Sequence, residues 1–308
     1  MAVITPIDYA TYSASVPYVT LNEFKFSPTG VDYLSLVPAN TTQAQKDTAM
    51  QQAIIRASAQ ADEYCQQVLA ATIDWEQGSA RVTLDDYGYS VVNVELRRFP
   101  VVAVGSILTG TDPSNLSAPT FSGTNPALVK NMLRIPVSLG YVTGTNVPYA
   151  STVTLGKHLA YGVQYVNGYA NTTLTGPVTA GALSLPVANP LGVAPGQVLT
   201  LAAQGSTEYV TVDASWTPVV STAPTTIPLA AATANAYAAG DSVSALPASV
   251  KDAVILLATL NVRTRGQYSI VMSSTRSQPD QIEKDAGPGS ADMLADAMDL
   301  LEAHRRTR

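Results

Sequence analysis

Cysteine is almost absent from this 308-residue chain. Cys65 is the only one, so no intramolecular disulfide is possible and nothing suggests folding in an oxidising compartment. Histidine is nearly as scarce: His158 and His304 have no second His or Cys at ligand spacing, and no metal site is expected from them. Charged residues make up 13% of the chain and aromatics 7%, with a formal net charge of −6. That balance disfavours a protein whose affinity comes from neutralising many phosphates. No apolar stretch approaches the roughly 18–20 residues of a membrane span, residues 253–260 being too short. A soluble protein with no membrane partner is expected. The first residues carry Asp8 and no basic segment, which argues against a secretory signal.

Groupings that carry chemistry are missing too. Cys65 has no basic or helix-terminal neighbour in sequence to lower its pKa, and reads as an inert buried thiol. Asp85-Asp86 reads as a solvated turn rather than an acid–base pair. Gly140 and Gly144 are not followed by a helix, so no phosphate-cradling loop is implied. Arg97-Arg98 reads as a surface pair at a strand end. From Ala248 onward eight basic residues balance eight acidic ones, which leaves no DNA-gripping patch. No nucleophile–base pairing is visible. Neither an enzyme nor a cofactor is expected.

Helical signals stand out. Over 41–69, Met50, Ile54, Ala57, Ala61, Tyr64 and Val68 recur at spacings of 4, 3, 4, 3 and 4, one apolar stripe on a 3.6-residue period. Thr42 followed by Gln45 reads as a capping box. A stripe of that length needs partners, and two candidates lie far downstream. Over 248–265, Val250, Ala253, Val254, Leu257 and Leu260 form an apolar face, with Ser249 and Asp252 as a second capping pattern. Over 290–305, Ser290 caps a helix carrying Leu294, Ala297, Met298 and Leu301. A short helix over 20–26 is capped by Thr20, with Leu21 and Phe24 inward. Residues 1–17 read as an extended N-terminal arm, and 267–289 as a polar segment that is either mobile or ordered by a partner.

Strands are expected at 73–84 and 90–96, where Val92, Val94 and Leu96 alternate with polar residues, and from Phe99 to Leu108. Residues 109–126 read as a long loop, with further strands at 133–135, 153–155 and 161–166. Asn167-Gly168 is a turn signal. The stretch 171–246 has no Lys or Arg and three charges, Glu208, Asp213 and Asp241. It is weakly self-similar: Leu185-Pro186-Val187-Ala188 resembles Ile227-Pro228-Leu229-Ala230, and Gly196 matches Gly240. Two related β-units packed as a small barrel or sandwich follow from that, with residues 208–212 alternating as a strand. The expected fold is therefore α+β. A small helical-bundle core (helices near 41–69, 248–265 and 290–305, with strands between) spans 18–170 plus 247–308 and carries an inserted all-β domain at 171–246.

The order of parts resembles a known family. Tyr18-Val19-Thr20-Leu21-Asn22-Glu23-Phe24, then a helix ending Ala61-Asp62-Glu63-Tyr64-Cys65, is similar to the head–tail connector (adaptor, head-completion) proteins of tailed bacteriophages. So are Glu95-Leu96-Arg97-Arg98-Phe99-Pro100-Val101-Val102-Ala103-Val104, the segment 161–170, and Leu246-Pro247-Ala248-Ser249-Val250-Lys251-Asp252-Ala253-Val254-Ile255-Leu256-Leu257. The chain departs from that pattern in its first 17 residues, in 109–150 and in 171–246. The resemblance implies a virion structural protein at the head–tail interface, assembled in the host cytoplasm. It implies a homo-oligomeric ring, typically twelvefold, docked under the portal protein and offering a platform to the next tail-completion (stopper or tail) protein. Genomic DNA would pass through the lumen without specific binding. The family tends to engage the portal through its C-terminal segment, which points here to Arg276, Arg305, Arg306 and Arg308 against an acidic portal surface. The alternative expectation is a β-rich binding module on a helical base, recognising glycan or decorating the phage surface, although Trp216 and Tyr209 or Tyr237 are the only large aromatics of 171–246 for stacking on sugar.

Overall fold

The computed structural model describes residues 3–4, 9–27, 41–85, 90–119, 125–137, 156–203, 206–263 and 290–306. Strand outweighs helix, 36% against 27%. The chain forms two compact units, Met1–Pro6 with Thr72–Gly168, and Ile7–Ala71 with Tyr169–Arg308. This overturns the expectation of an α+β helical-bundle core with an inserted domain. A curled antiparallel sheet makes up one whole unit, and the strands of 171–246 share the other unit with the helices. The cause is physical. A 3.6-residue period sustained over many residues is visible in isolation, whereas strands of three to six residues declare themselves only through their partners.

In the first unit seven antiparallel strands, β1 (Val3–Ile4), β2 (Thr72–Leu84), β3 (Ser90–Glu95), β4 (Val101–Gly110), β5 (Ala127–Val129), β6 (Met132–Pro136) and β7 (His158–Asn167), run in the order β4-β7-β2-β3-β6-β5, with β1 against β2. Strand β2 is the spine. Its residues 72–81 pair with β7, from Thr72↔Asn167 to Arg81↔His158, and residues 82–84 pair with β3. The curl gathers inward-facing Val82, Val92, Val94, Leu133, Ile135, Val163 and Tyr165 into one core. On the other face Trp75 lies across Gly162, where any Cβ would overlap the indole and approach Leu116. The expected loop at 109–126 begins later than read, because β4 runs on to Gly110. Residues 86–89 and the candidate strand at 153–155 lie outside the described residues.

In the second unit α1 (Tyr9–Ser15), α2 (Leu21–Phe26), α3 (Gln43–Cys65), α4 (Ala248–Arg263) and α5 (Ser290–Glu302) surround one apolar core. The arm read as extended is thus partly helical, and α1 packs on α3. The expected capping box forms at Thr42/Gln45, and Thr20, expected as a cap, completes a second box with Glu23. The long helix stops at Cys65 rather than at 69 because Gln66 turns left-handed, with φ 56°, and its N–H closes onto Asp62 and Glu63. The polar segment 267–289 lies outside the described residues.

Strands β8 (Asn171–Thr173), β9 (Ser184–Val187), β10 (Val198–Ala203), β11 (Ser206–Thr211), β12 (Thr225–Pro228) and β13 (Ser242–Ser244) enclose a second apolar core in this unit. They pair as β11-β10-β13-β8 and β12-β9. The weak repeat is a local twofold. Matching residues Leu185 and Ile227 sit directly opposite each other, and the bridge Leu174↔Val187 recurs as Val212↔Leu229. The two turns are copies. Ala194 N–H donates to Gln197 Oε1 (2.9 Å), and Ala238 N–H to Asp241 Oδ2 (2.7 Å). Gly196 N–H reaches Val212 O as Gly240 N–H reaches Leu174 O, with φ of 71° and 90°, a region glycine enters without penalty.

Candidate interaction site at the C-terminal helix

Helix α5 is amphipathic, and burial of Leu294, Ala297 and Leu301 seats it on α3 and α4. Its far end is tied down by a cluster of polar contacts. Tyr64 Oη donates to Glu302 Oε2 (2.6 Å), and Gln67 Nε2 donates to the His304 carbonyl (2.9 Å). Arg306 N–H donates to the Cys65 carbonyl (2.9 Å), and the Cys65 thiol faces the Leu301 carbonyl (3.8 Å). Ser249 Oγ and His304 Nε2 lie 2.9 Å apart, while the His304 ring meets Tyr169 edge-on. Ser249 lies inside α4 and is spent on this bridge rather than on the capping pattern read from sequence.

Burial accounts for the electrostatics. It pushes the Cys65 thiol up to about 12, with the nearby Asp62 charge adding to it, so the group stays protonated and unreactive. The Tyr64 phenol rises to about 12 through burial and its bond to Glu302. The Glu302 carboxyl is held low, chiefly by accepting that bond. Burial lowers the His304 imidazole.

Of the four arginines expected at a portal contact, Arg276 and Arg308 lie outside the described residues. Arg305 stacks over the Tyr64 ring (5.3 Å to its centroid) and pairs with Glu302 (3.4 Å), so it braces its own chain. Arg306 is half-buried and anchored through its backbone. From the core stripe, Met50, Ile54, Ala57, Ala61, Val254 and Leu257 are all buried in one core. Tyr64 is only half-buried, and Val68, though buried, lies beyond the end of α3.

Three polar networks escaped the sequence reading. Buried Tyr18 donates to Asp62 Oδ1 and accepts from the N–H groups of Leu69 and Ala70 (3.1 Å each), which fixes the chain leaving α3. Burial, then the Asp62 charge, drives the Tyr18 phenol pKa upward. Arg98, expected at the surface, is buried and pairs with Asp74, which also accepts from Thr72 and Asn167. Arg97 faces the buried Glu76 (3.6 Å), on which Tyr165 Oη donates (3.2 Å). Sequence order gave no sign of these, because each joins residues 21 or more positions apart except the local Thr72–Asp74 bond. In the small β-structure Glu208 accepts from Ala234 N (2.6 Å), Asn235 N (3.0 Å) and Tyr237 Oη (3.0 Å).

Among the described residues no cluster of His, Cys, Asp or Glu fits a metal ion, and no helix is long and apolar enough to cross a membrane. Comparison with protein-family models, with curated proteins and with solved structures finds no match to this chain.

Proposed function

We propose that this chain is a virion structural protein, a head–tail adaptor whose copies form a ring, twelvefold by family resemblance, under the portal of a tailed phage. The ring bridges the portal to the next tail-completion protein, and DNA passes through its lumen. One observation supports the reading most: the separate stretches that carry the resemblance meet in space. Tyr18, Val19 and Phe24, then Ala61 and Cys65, then Leu246, Val250, Ala253, Val254 and Leu257 share one core. In the other unit Val101, Ala103 and Val104 pair with Asn167, Val166 and Tyr165. Stretches matched only by accidental apolar patterning have no reason to be mutual neighbours.

The glycan-binding alternative loses support at its own aromatics. Trp216 Nε1 donates to the Val193 carbonyl (3.1 Å), and Tyr237 is 3% exposed and bonded to Glu208. Tyr209 alone is left open, 72% exposed, too little for a stacking platform.

Electron microscopy of the full-length protein, alone and with the portal of the same genome, tests the adaptor reading. Rings, free or formed on the portal, are expected. A monomer indifferent to the portal sinks it. For the C-terminal contact, Arg306→Glu with Arg308→Glu is the cleaner probe, because deleting the tail strips α5 from the core. Portal attachment unchanged by that pair removes the proposed arginine contact.

A further inference from the structure

Charge is divided unevenly between the two units. Residues 1–6 and 72–168 hold six acidic and six basic side chains, and the remainder hold seventeen against eleven, so the whole −6 falls on the unit that contains the helices. Within the neutral unit Arg97, Arg98 and Arg134 are committed to Glu76, Asp74 and Asp85. Arg81 and Lys157 are exposed, and neither forms an ion pair among the described residues. Arg81 stands directly opposite the exposed His158 at the last rung of the β2–β7 ladder. The Lys157 carbonyl accepts from Val82 N–H (2.9 Å). Gly156, with φ 82°, leaves its side-chain position open 3.4 Å from the Arg81 guanidinium. A rigid strand pair thus presents two cations and an imidazole to solvent.

The same chain carries the complementary surface. Asp292, Asp296 and Asp299 are exposed on α5, at spacings of 4 and 3 that align them in a stripe about 10 Å long. None forms an ion pair among the described residues, whereas Glu302 is engaged by Tyr64 and Arg305. Because Leu294, Ala297 and Leu301 lock the opposite face into the core, the stripe is held outward.

We propose that the Arg81/Lys157/His158 corner of one copy docks on the Asp292/Asp296/Asp299 stripe of the next copy. This rests on the ring reading above and names the contact that would build it. Charge selects the occupant: a chain of net −6 repels a polyanion at long range, while its own stripe is opposite to the corner in sign and, like the corner, forms no ion pair among the described residues. Joining two different patches head to tail is the heterologous contact from which closed rings are made. Complementary charge of this kind fixes register and speeds encounter, and salt screens it.

The test is assembly of the full-length protein followed by mass photometry across salt. Wild-type rings are expected to weaken as salt rises. Arg81→Glu with Lys157→Glu, or Asp292→Lys with Asp296→Lys and Asp299→Lys, is expected to raise the half-assembly concentration by about tenfold or more. All five changes in one chain restore assembly, as does mixing the two variants. That rescue also shows that the variants fold. Rings indifferent to both reversals overturn the proposal and leave the ring reading standing. Assembly unchanged by Arg81→Glu with Lys157→Glu, together with lost binding to duplex DNA, also overturns it and assigns the corner to phosphate. Monomers under every condition, portal included, overturn both.

Discussion

The two β-structures of this protein secure their strand register by different means. The curled sheet of residues 72–168 buries carboxylates on a ladder of ten consecutive β2–β7 pairs: Asp74, met by the buried Arg98, and Glu76, met by Tyr165 and the exposed Arg97. The smaller structure of residues 171–246 keeps charge out of its core and repeats one turn twice about a local twofold. A one-residue slip in the first would strand a buried charge. In the second it would turn Leu199, Leu201 and Val210 outward. The lesson is that ionic pairing and repeated turn geometry are interchangeable ways to specify register, with different vulnerabilities.

The chain's two tryptophans separate the two cases, since Trp75 lies in the sheet and Trp216 against the core of the smaller structure. Single-tryptophan backgrounds therefore let fluorescence-monitored urea unfolding report each region. The largest effect is expected from Arg98→Ala, which leaves the Asp74 carboxylate buried without its cation and costs about 3–5 kcal/mol on the Trp75 signal. An effect below about 1 kcal/mol would show that the ionic key is dispensable. Ile227→Ala, on the local twofold opposite Leu185, is expected to cost about 3 kcal/mol on the Trp216 signal. Gly162→Ala drives a methyl into the Trp75 indole and is expected to cost about 1–3 kcal/mol, with a change in Trp75 emission.

Smaller effects probe the repeat itself. Gly196→Ala and Gly240→Ala meet no neighbouring atom within 4 Å, so only the positive φ is penalised. Each is expected to cost about 1 kcal/mol, equally at the two sites; clearly unequal losses would break the twofold argument. The smallest effect is a pH dependence. Burial alone would raise the Glu208 carboxyl, but bonds from Ala234 N, Asn235 N, Tyr237 Oη and Asn235 Nδ2 outweigh it and hold its pKa below the ordinary 4.5. Its ionised form therefore stabilises the fold fully above about pH 4.5, and that contribution fades as pH falls through the depressed value. Glu208→Gln is expected to lose less than about 1 kcal/mol at neutral pH, given the solvated position, and nothing in acid. A difference that grows in acid would reverse the assigned sign.

Elements whose cause is local were legible. The Thr20 cap, the Thr42/Gln45 box, the stripe through Met50 and Ile54, and the matched glycines 196 and 240 each depend on residues a few positions apart. What stayed hidden depends on distant partners. Arg98 reads as a surface residue until Asp74 is seen opposite it, and Ser249 reads as a cap until His304 arrives from 55 residues away. The weight of β-structure was underestimated for the same reason, since β8 and β13 have three residues each and no period of their own. At the candidate site the apolar half of α5 was readable, whereas the bracing of Arg305 by Tyr64 was not.

The lone thiol of this chain sits behind α5, against the Leu301 carbonyl. While that helix is seated, a maleimide or disulfide reagent meets neither an open path nor an ionised sulfur. An excursion of the helix would remove that cover. The labelling rate of Cys65 is therefore expected to report undocking of the helix without any introduced probe.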